Sequence, residues 1–287
     1  MADTGDRIFA AVTLAAALAV AGLFAYLLWT LAAQSAPTWR AAGPGFFVSQ
    51  QWDPAGDRFG ALAYLFGTVA SSAIALAVAV PVALGTAVAL AILLPRWLAA
   101  PLGMFVELLA AVPSIIFGIW GLFTVVPLVH GLSGGTATGR SLLAAGIVLA
   151  VMIVPIITAV ARDMVRAVPL AQREAALALG LTPWEVTWKV VLPYARPGLL
   201  AAILLGLGRA MGETMAVIMV IGNRAAVDLN VFAPAATMAS VIANEFGEPS
   251  NPLHASSLVA LGLVMLALSL GTSLLGRWIV QRSRRPA

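Results

Sequence analysis

The sequence contains no cysteine, and its only two histidines, His130 and His254, lie far apart. Disulfides and thiolate metal sites are thereby excluded, and the histidines offer no ligand spacing for a metal. Charge is scarce as well. Asp, Glu, Lys and Arg make up 10% of 287 residues, against roughly a quarter in soluble domains. A single lysine, Lys189, stands between Trp188 and Val190. A Walker A loop needs its lysine after glycine and before serine or threonine, so the chain has no such nucleotide site.

What fills the sequence is apolar: 61% of residues are hydrophobic and the mean hydropathy is +1.00. These residues fall in long blocks, and a helix needs about 20 of them to cross a hydrocarbon core. Six spans are expected, at Ile8 to Ala33, Gly60 to Leu94, Leu98 to Val129, Leu142 to Ala161, Leu199 to Ile221 and Ala255 to Val280. The first exceeds the roughly 7 to 15 residues of a signal-peptide core, so it reads as a retained helix rather than a leader cleaved near Ala33-Gln34-Ser35. The second is too long for one untilted crossing and is expected to kink at Pro81. The third carries Glu107 and is interrupted at Pro113.

Residues 34 to 60, with Pro37, Pro44 and Pro54, read as an outer loop, as does Gly131 to Gly139. Residues 223 to 253 are polar and proline-punctuated, and 162 to 198 suit short water-exposed helices. Three regions result: 1–60 (first helix and outer loop), 61–280 (transport core, containing the 162–198 loop) and the basic tail 281–287. With both termini inside, the inner segments collect eleven basic residues and the outer ones only Arg40, Arg58, Arg140 and Arg224. The positive-inside rule favours that orientation. The sequence pI near 10.3 thus reflects membrane topology rather than nucleic-acid binding.

The longest inner loop contains Glu174-Ala175-Ala176-Leu177-Ala178-Leu179-Gly180 and, after nine intervening residues, Val190-Val191-Leu192-Pro193. Gln172 to Leu179 is rich in helix formers, Gly180 can end a helix in the left-handed conformation, and Thr182 can cap a second helix starting at Pro183. Two short helices at an angle make a compact knob able to sit in a partner's cleft. An ordinary amphipathic connector is the plainer reading of helix, glycine and helix alone. The full spacing resembles the EAA loop of bacterial ABC importer permeases, with Glu174, Ala175, Ala176, Gly180, Leu192 and Pro193 as its elements.

Two further stretches, Glu107 to Gly121 and Gly208 to Val217, resemble PstC-type permeases of high-affinity phosphate importers, as does Trp52-Asp53-Pro54. That resemblance implies an all-α polytopic protein with a MetI-like importer core in the cytoplasmic (inner) membrane. It also implies a PstA-type second permease, two PstB-type ATPase subunits that bind ATP and magnesium, and a PstS-type extracytoplasmic phosphate-binding protein. The chain itself would be a permease rather than an enzyme and would hold no cofactor. A permease for molybdate or sulfate is the nearest alternative. An ion-coupled secondary transporter would also have midplane charges but would not need the knob, and a membrane scaffold would need neither.

Ionisable residues inside a membrane are costly and usually face a bundle interior or an aqueous path, which singles out Glu107, Arg209 and Glu213. Arg209 and Glu213 are four residues apart, on one face of a continuous helix. Either they form a pair that only fixes packing, or Arg209 attracts the anion while Glu213 tempers its hold. One arginine against two glutamates leaves the span interior at minus one. A bare anion is repelled there unless burial neutralises a glutamate or the partner permease adds positive charge. Selectivity is therefore expected in the binding protein, with the permease a transient path. Pro113 and Ser114 either open backbone groups toward that path or form a simple kink. Met211, Met215 and Met219 recur every four residues, the mark of one helix face packed in a core.

Overall fold

The computed structural model describes residues 4–135 and 138–283. Most of the basic tail therefore lies outside the described residues. Six helical segments are long and apolar enough to cross a bilayer: Ile8–Ala42, Leu62–Leu93, Ser114–Leu132, Leu142–Arg166, Pro183–Met211 and Pro252–Arg282.

The elements run α1 (Thr4–Ala42), α2 (Gly45–Val48), a hairpin of β1 (Trp52–Asp53) and β2 (Arg58–Phe59), and α3 (Leu62–Val88). A π turn (Ala89–Leu93), α4 (Arg96–Ala110), α5 (Ser114–Trp120), a second π turn (Gly121–Val125) and α6 (Val126–Leu132) follow. Then come α7 (Leu142–Arg166), α8 (Leu170–Ala178), α9 (Pro183–Val186), a third π turn (Thr187–Val191) and α10 (Leu192–Met211). The chain closes with α11 (Met215–Val220), α12 (Met238–Glu245) and α13 (Pro252–Ser283).

Helix α7 is the axis of the bundle, packed by α3, α10, α4 and α11. Lipid tails are as apolar as leucine, so helices in a membrane associate through close packing that small side chains permit. The face of α3 that is fully buried is Ala75, Ala79, Ala83 and Ala87, one residue per turn. Across from it on α7, Gly146 lies against Ile74 and Thr158 donates to the Ala83 carbonyl at 3.4 Å, while Ile153 and Ile157 lie against Gly206 of α10.

Helix α1 is the most exposed span and leans on α13. It continues well past the expected end at Ala33, through Pro37 to Ala42, which corrects the reading of residues 34 to 42 as loop. The cause is Ser256 of α13, whose hydroxyl donates to the Gln34 carbonyl at 2.9 Å while accepting from the Thr38 amide at 3.2 Å. One side chain thus bridges the backbone groups that the proline disturbs, a known way for a membrane helix to tolerate proline.

Two more expected spans are re-divided. The block Leu98 to Val129 is broken at Ala111–Pro113, and the membrane-crossing piece is Ser114–Leu132, with α4 a separate helix against α7. The block Leu199 to Ile221 is broken after Met211, while its helix begins upstream, running from Pro183 through the third π turn into α10. Pro193 comes just after that π turn and lacks the amide that would bond back into the preceding turn. The π turn before it absorbs the change of pitch.

The hairpin that follows α2 is tied to α12, α13 and the segment between them. Glu245 accepts at one carboxylate oxygen from the Trp52 indole and from His254, each at 2.8 Å, and Asn251 donates to the Pro54 carbonyl and to Asp57. His254 already accepts the Ser250 amide on Nδ1, so Nε2 is its donor to Glu245.

Candidate functional site

The loop between α7 and α10 folds as its sequence encodes. Helix α8 closes with Leu181 donating to the Ala176 carbonyl at 3.3 Å and Gly180 donating to Leu177 at 2.9 Å, the two bonds of a Schellman turn. Gly180 has φ +86°, the left-handed conformation this turn requires. Two residues later, Thr182 and Glu185 form a reciprocal capping box with Pro183 at the first helical position. Glu174, Ala175 and Gly180 are exposed, Ala176 is buried, and Leu192 packs half-buried on the core beside the exposed Pro193.

The knob presents Leu170, Leu177, Leu179, Trp184 and Trp188 outward, with the two indoles edge to face at 5.5 Å. Five large exposed apolar side chains on one protrusion are what a protein contact surface looks like. The knob is fastened to the bundle by Arg173, which donates to the Val165 carbonyl at 2.6 Å. The same last turns of α7 carry Arg166, bonded to the Leu90 carbonyl at 3.1 Å, and Arg162. Hydrogen bonds thus join α8 to α7, and α7 to the π turn that follows α3.

Glu107 lies on α4 and pairs with Arg162 at 2.8 Å. Arg162 also binds Asp163 at 3.0 Å, with its side chain only 11% exposed. The structure thus places Glu107 in the cleft beside the end of α7, apart from the cavity that Arg209 lines between α10 and α13.

Arg209 and Glu213 do come together, at 3.4 Å, but not on one continuous helix. Arg209 is in the last turn of α10 and Glu213 lies in the break that follows, before α11. The Glu213 side chain is 3% exposed and the Arg209 side chain 47%. One Glu213 oxygen accepts the Ala216 amide at 3.2 Å, which fixes the carboxylate at the start of α11 and leaves its other oxygen toward Arg209. The guanidinium is thus tethered at one edge and open at the other. Because the helix is interrupted, Met211 is buried while Met215 is exposed, so these methionines do not form the single face expected of them.

Two of the breaks precede helices that pack on each other. Helix α5 packs on α11, and a Cβ on Gly118 would meet the Met219 sulfur at 2.8 Å and the Ala216 Cα at 3.0 Å. Gly121 in turn faces Val220, so the register advances in the same direction on both strands of chain and the half-helices are parallel. Each of these half-helices follows a break, Ala111–Pro113 before α5 and Gly212–Thr214 before α11. Ser114 is half-buried in the first turn of α5. Interrupted backbone within a membrane is tolerated where it is buried in protein or lines an aqueous cavity.

Sequence reasoning missed Arg162, Arg166 and Arg173, whose partners are distant in the chain. The Glu245 and His254 network was also missed, and its only local sign was the Trp52-Asp53-Pro54 turn.

Residues 79–285 match the family model described as binding-protein-dependent transport system inner membrane component. A phosphate transport system permease protein PstC from Mesorhizobium japonicum is 44% identical, covering 96% of this chain and 90% of the relative. PstC of Xylella fastidiosa is 40% identical over 85% of this chain and 80% of its own length, and PstC 2 of Mycobacterium tuberculosis is 39% identical over 93% and 89%. A chain of the MetNI methionine ABC transporter superposes with a TM-score of 0.59 at 23% identity, covering 79% of this chain and 95% of that one, which shows a shared fold. Family model, relatives and fold agree: the chain belongs to the inner membrane components of binding-protein-dependent transport systems, the multi-pass permeases of ABC importers.

Proposed function

We propose that this chain is the PstC-type permease through which an ATP-driven importer moves inorganic phosphate into the cytoplasm. The observation that carries the reading is the similarity to PstC along nearly the whole chain, joined to a tethered, half-exposed arginine at a helix break. Both termini and the α8–α9 knob face the cytoplasm. There the knob docks, through its leucines and tryptophans, on one of two ATPase subunits that bind ATP and magnesium. A second, PstA-type permease completes the path, and a phosphate-binding protein delivers cargo to the outer surface. Coupling runs from Glu174, Ala175, Ala176 and Gly180 through Leu192 and Pro193 into α10, and through Arg173 into α7.

Along the path, Arg209 offers guanidinium donors to a passing phosphate. Glu213, held by the Ala216 amide, competes for the same arginine and keeps the contact transient. With Glu107 compensated by Arg162, the charge count at the break becomes one arginine against one glutamate. The site is neutral rather than repulsive, and Ser114 adds a hydroxyl after the other break. A neutral, half-open site binds weakly, so selectivity rests with the binding protein. The test is uptake of labelled phosphate by proteoliposomes holding the complex, with ATP inside and binding protein outside. ATP-dependent uptake that molybdate and sulfate fail to compete supports the reading; uptake driven by a proton gradient without ATP refutes it.

A further inference from the structure

Near the knob end of the bundle, a cleft of about 670 Å³ opens between α4 and the last turns of α7. Its walls carry Arg96, Arg162, Arg166 and Glu107, with Leu94 and Met104 on the apolar side. Arg162 is spoken for, since Glu107 and Asp163 both bind it. Arg166 spends one donor on the Leu90 carbonyl, and neither Arg96 nor Arg166 has a carboxylate partner among the described residues. Three guanidiniums thus face two carboxylates, leaving one positive charge uncompensated at the edge of the apolar layer. The adjacent Trp97 is 73% exposed, a placement that suits the headgroup level of a bilayer.

We propose that this cleft binds a phosphoryl group, with Arg96 and Arg166 as its ligands and the clamped Arg162 as a fixed positive wall. Arg96 and the donors of Arg166 not spent on Leu90 suit tetrahedral phosphoryl oxygens, and basic pockets between helices at the cytoplasmic side attract anionic headgroups. The group can arrive as the headgroup of an anionic lipid, whose glycerol carbons then lie on Leu94 and Met104, or as free inorganic phosphate from the cytoplasm. The inference does not rest on phosphate being the cargo, because binding is read without transport.

The test uses the assembled permease and ATPase complex in nanodiscs of phosphatidylcholine, without ATP and without the binding protein. One arm adds trace phosphatidylglycerol and reads retained lipid by native mass spectrometry; the other adds labelled inorganic phosphate and reads equilibrium binding. Wild type is compared with Arg96→Gln and with Arg96→Gln/Arg166→Gln. Affinity is expected to fall about fivefold for each arginine removed. Loss in the first arm identifies a lipid and loss in the second a free anion. Equal binding by wild type and variants in both arms overturns the proposal. If the double variant fails to assemble, Arg96→Gln, on the exposed first turn of α4, decides the matter alone.

Discussion

Substituting Gly180 probes the coupling knob with little else disturbed. Nothing lies within 4 Å of a Cβ built at this position, so alanine meets no neighbour. Its only effect is through the backbone, held at φ +86°, where a residue with a Cβ loses about 1–2 kcal/mol. That is a factor of about 5–30 in the ratio of knobs holding the native turn to those that have lost it. Asparagine tolerates the left-handed region better, so Gly180→Asn should retain more function than Gly180→Ala. The assay is labelled phosphate uptake, normalised to membrane-inserted permease, together with co-purification of the ATPase. Gly180→Ala should insert normally, lose ATPase association and lower uptake by up to the factor above. Wild-type uptake in Gly180→Ala, or loss of insertion in step with uptake, would refute the claim that Gly180 acts through the shape of the knob.

Other outcomes follow from the packing. Ser256→Ala leaves the Gln34 carbonyl and Thr38 amide unbridged beside Pro37, and should cost about 1–3 kcal/mol, read as a lower melting temperature and faster proteolysis of α1. Arg162→Met strands Glu107 and Asp163 without their shared cation and should destabilise by about 1–3 kcal/mol, an estimate reduced because both carboxylates are half-exposed. Glu107→Gln leaves Arg162 with Asp163 and should cost less than 1 kcal/mol, so thermal melting of the two variants should differ clearly.

How far the sequence could be read depends on where each interaction partner lies. The Schellman turn at Gly180 and the capping box at Thr182 and Glu185 are local codes, complete within a few residues, and they fold as expected. The six crossings were legible because hydrophobic length is also local. Pro37 was misleading, since the residue that lets α1 continue, Ser256, comes from the last helix. Glu107 was read as a lone charge within a span because Arg162 is 55 positions away. The spacing of Arg209, Glu213 and the three methionines assumed an unbroken helix. Gly212 ends α10 and Glu213 caps the next piece instead, so the ion pair survives while the methionine face does not.

We propose that Arg209, tethered by Glu213, contacts phosphate in transit. The most direct measurement is ATP-driven phosphate uptake by the reconstituted complex carrying Arg209→Gln or Arg209→Lys, with ATPase activity and complex assembly followed in parallel. Arg209→Gln should assemble normally, retain ATP hydrolysis stimulated by the binding protein, and lose phosphate uptake, while Arg209→Lys, which keeps the charge without the fork, should recover part of it. Uptake at the wild-type rate in Arg209→Gln, with the complex intact, would contradict the account.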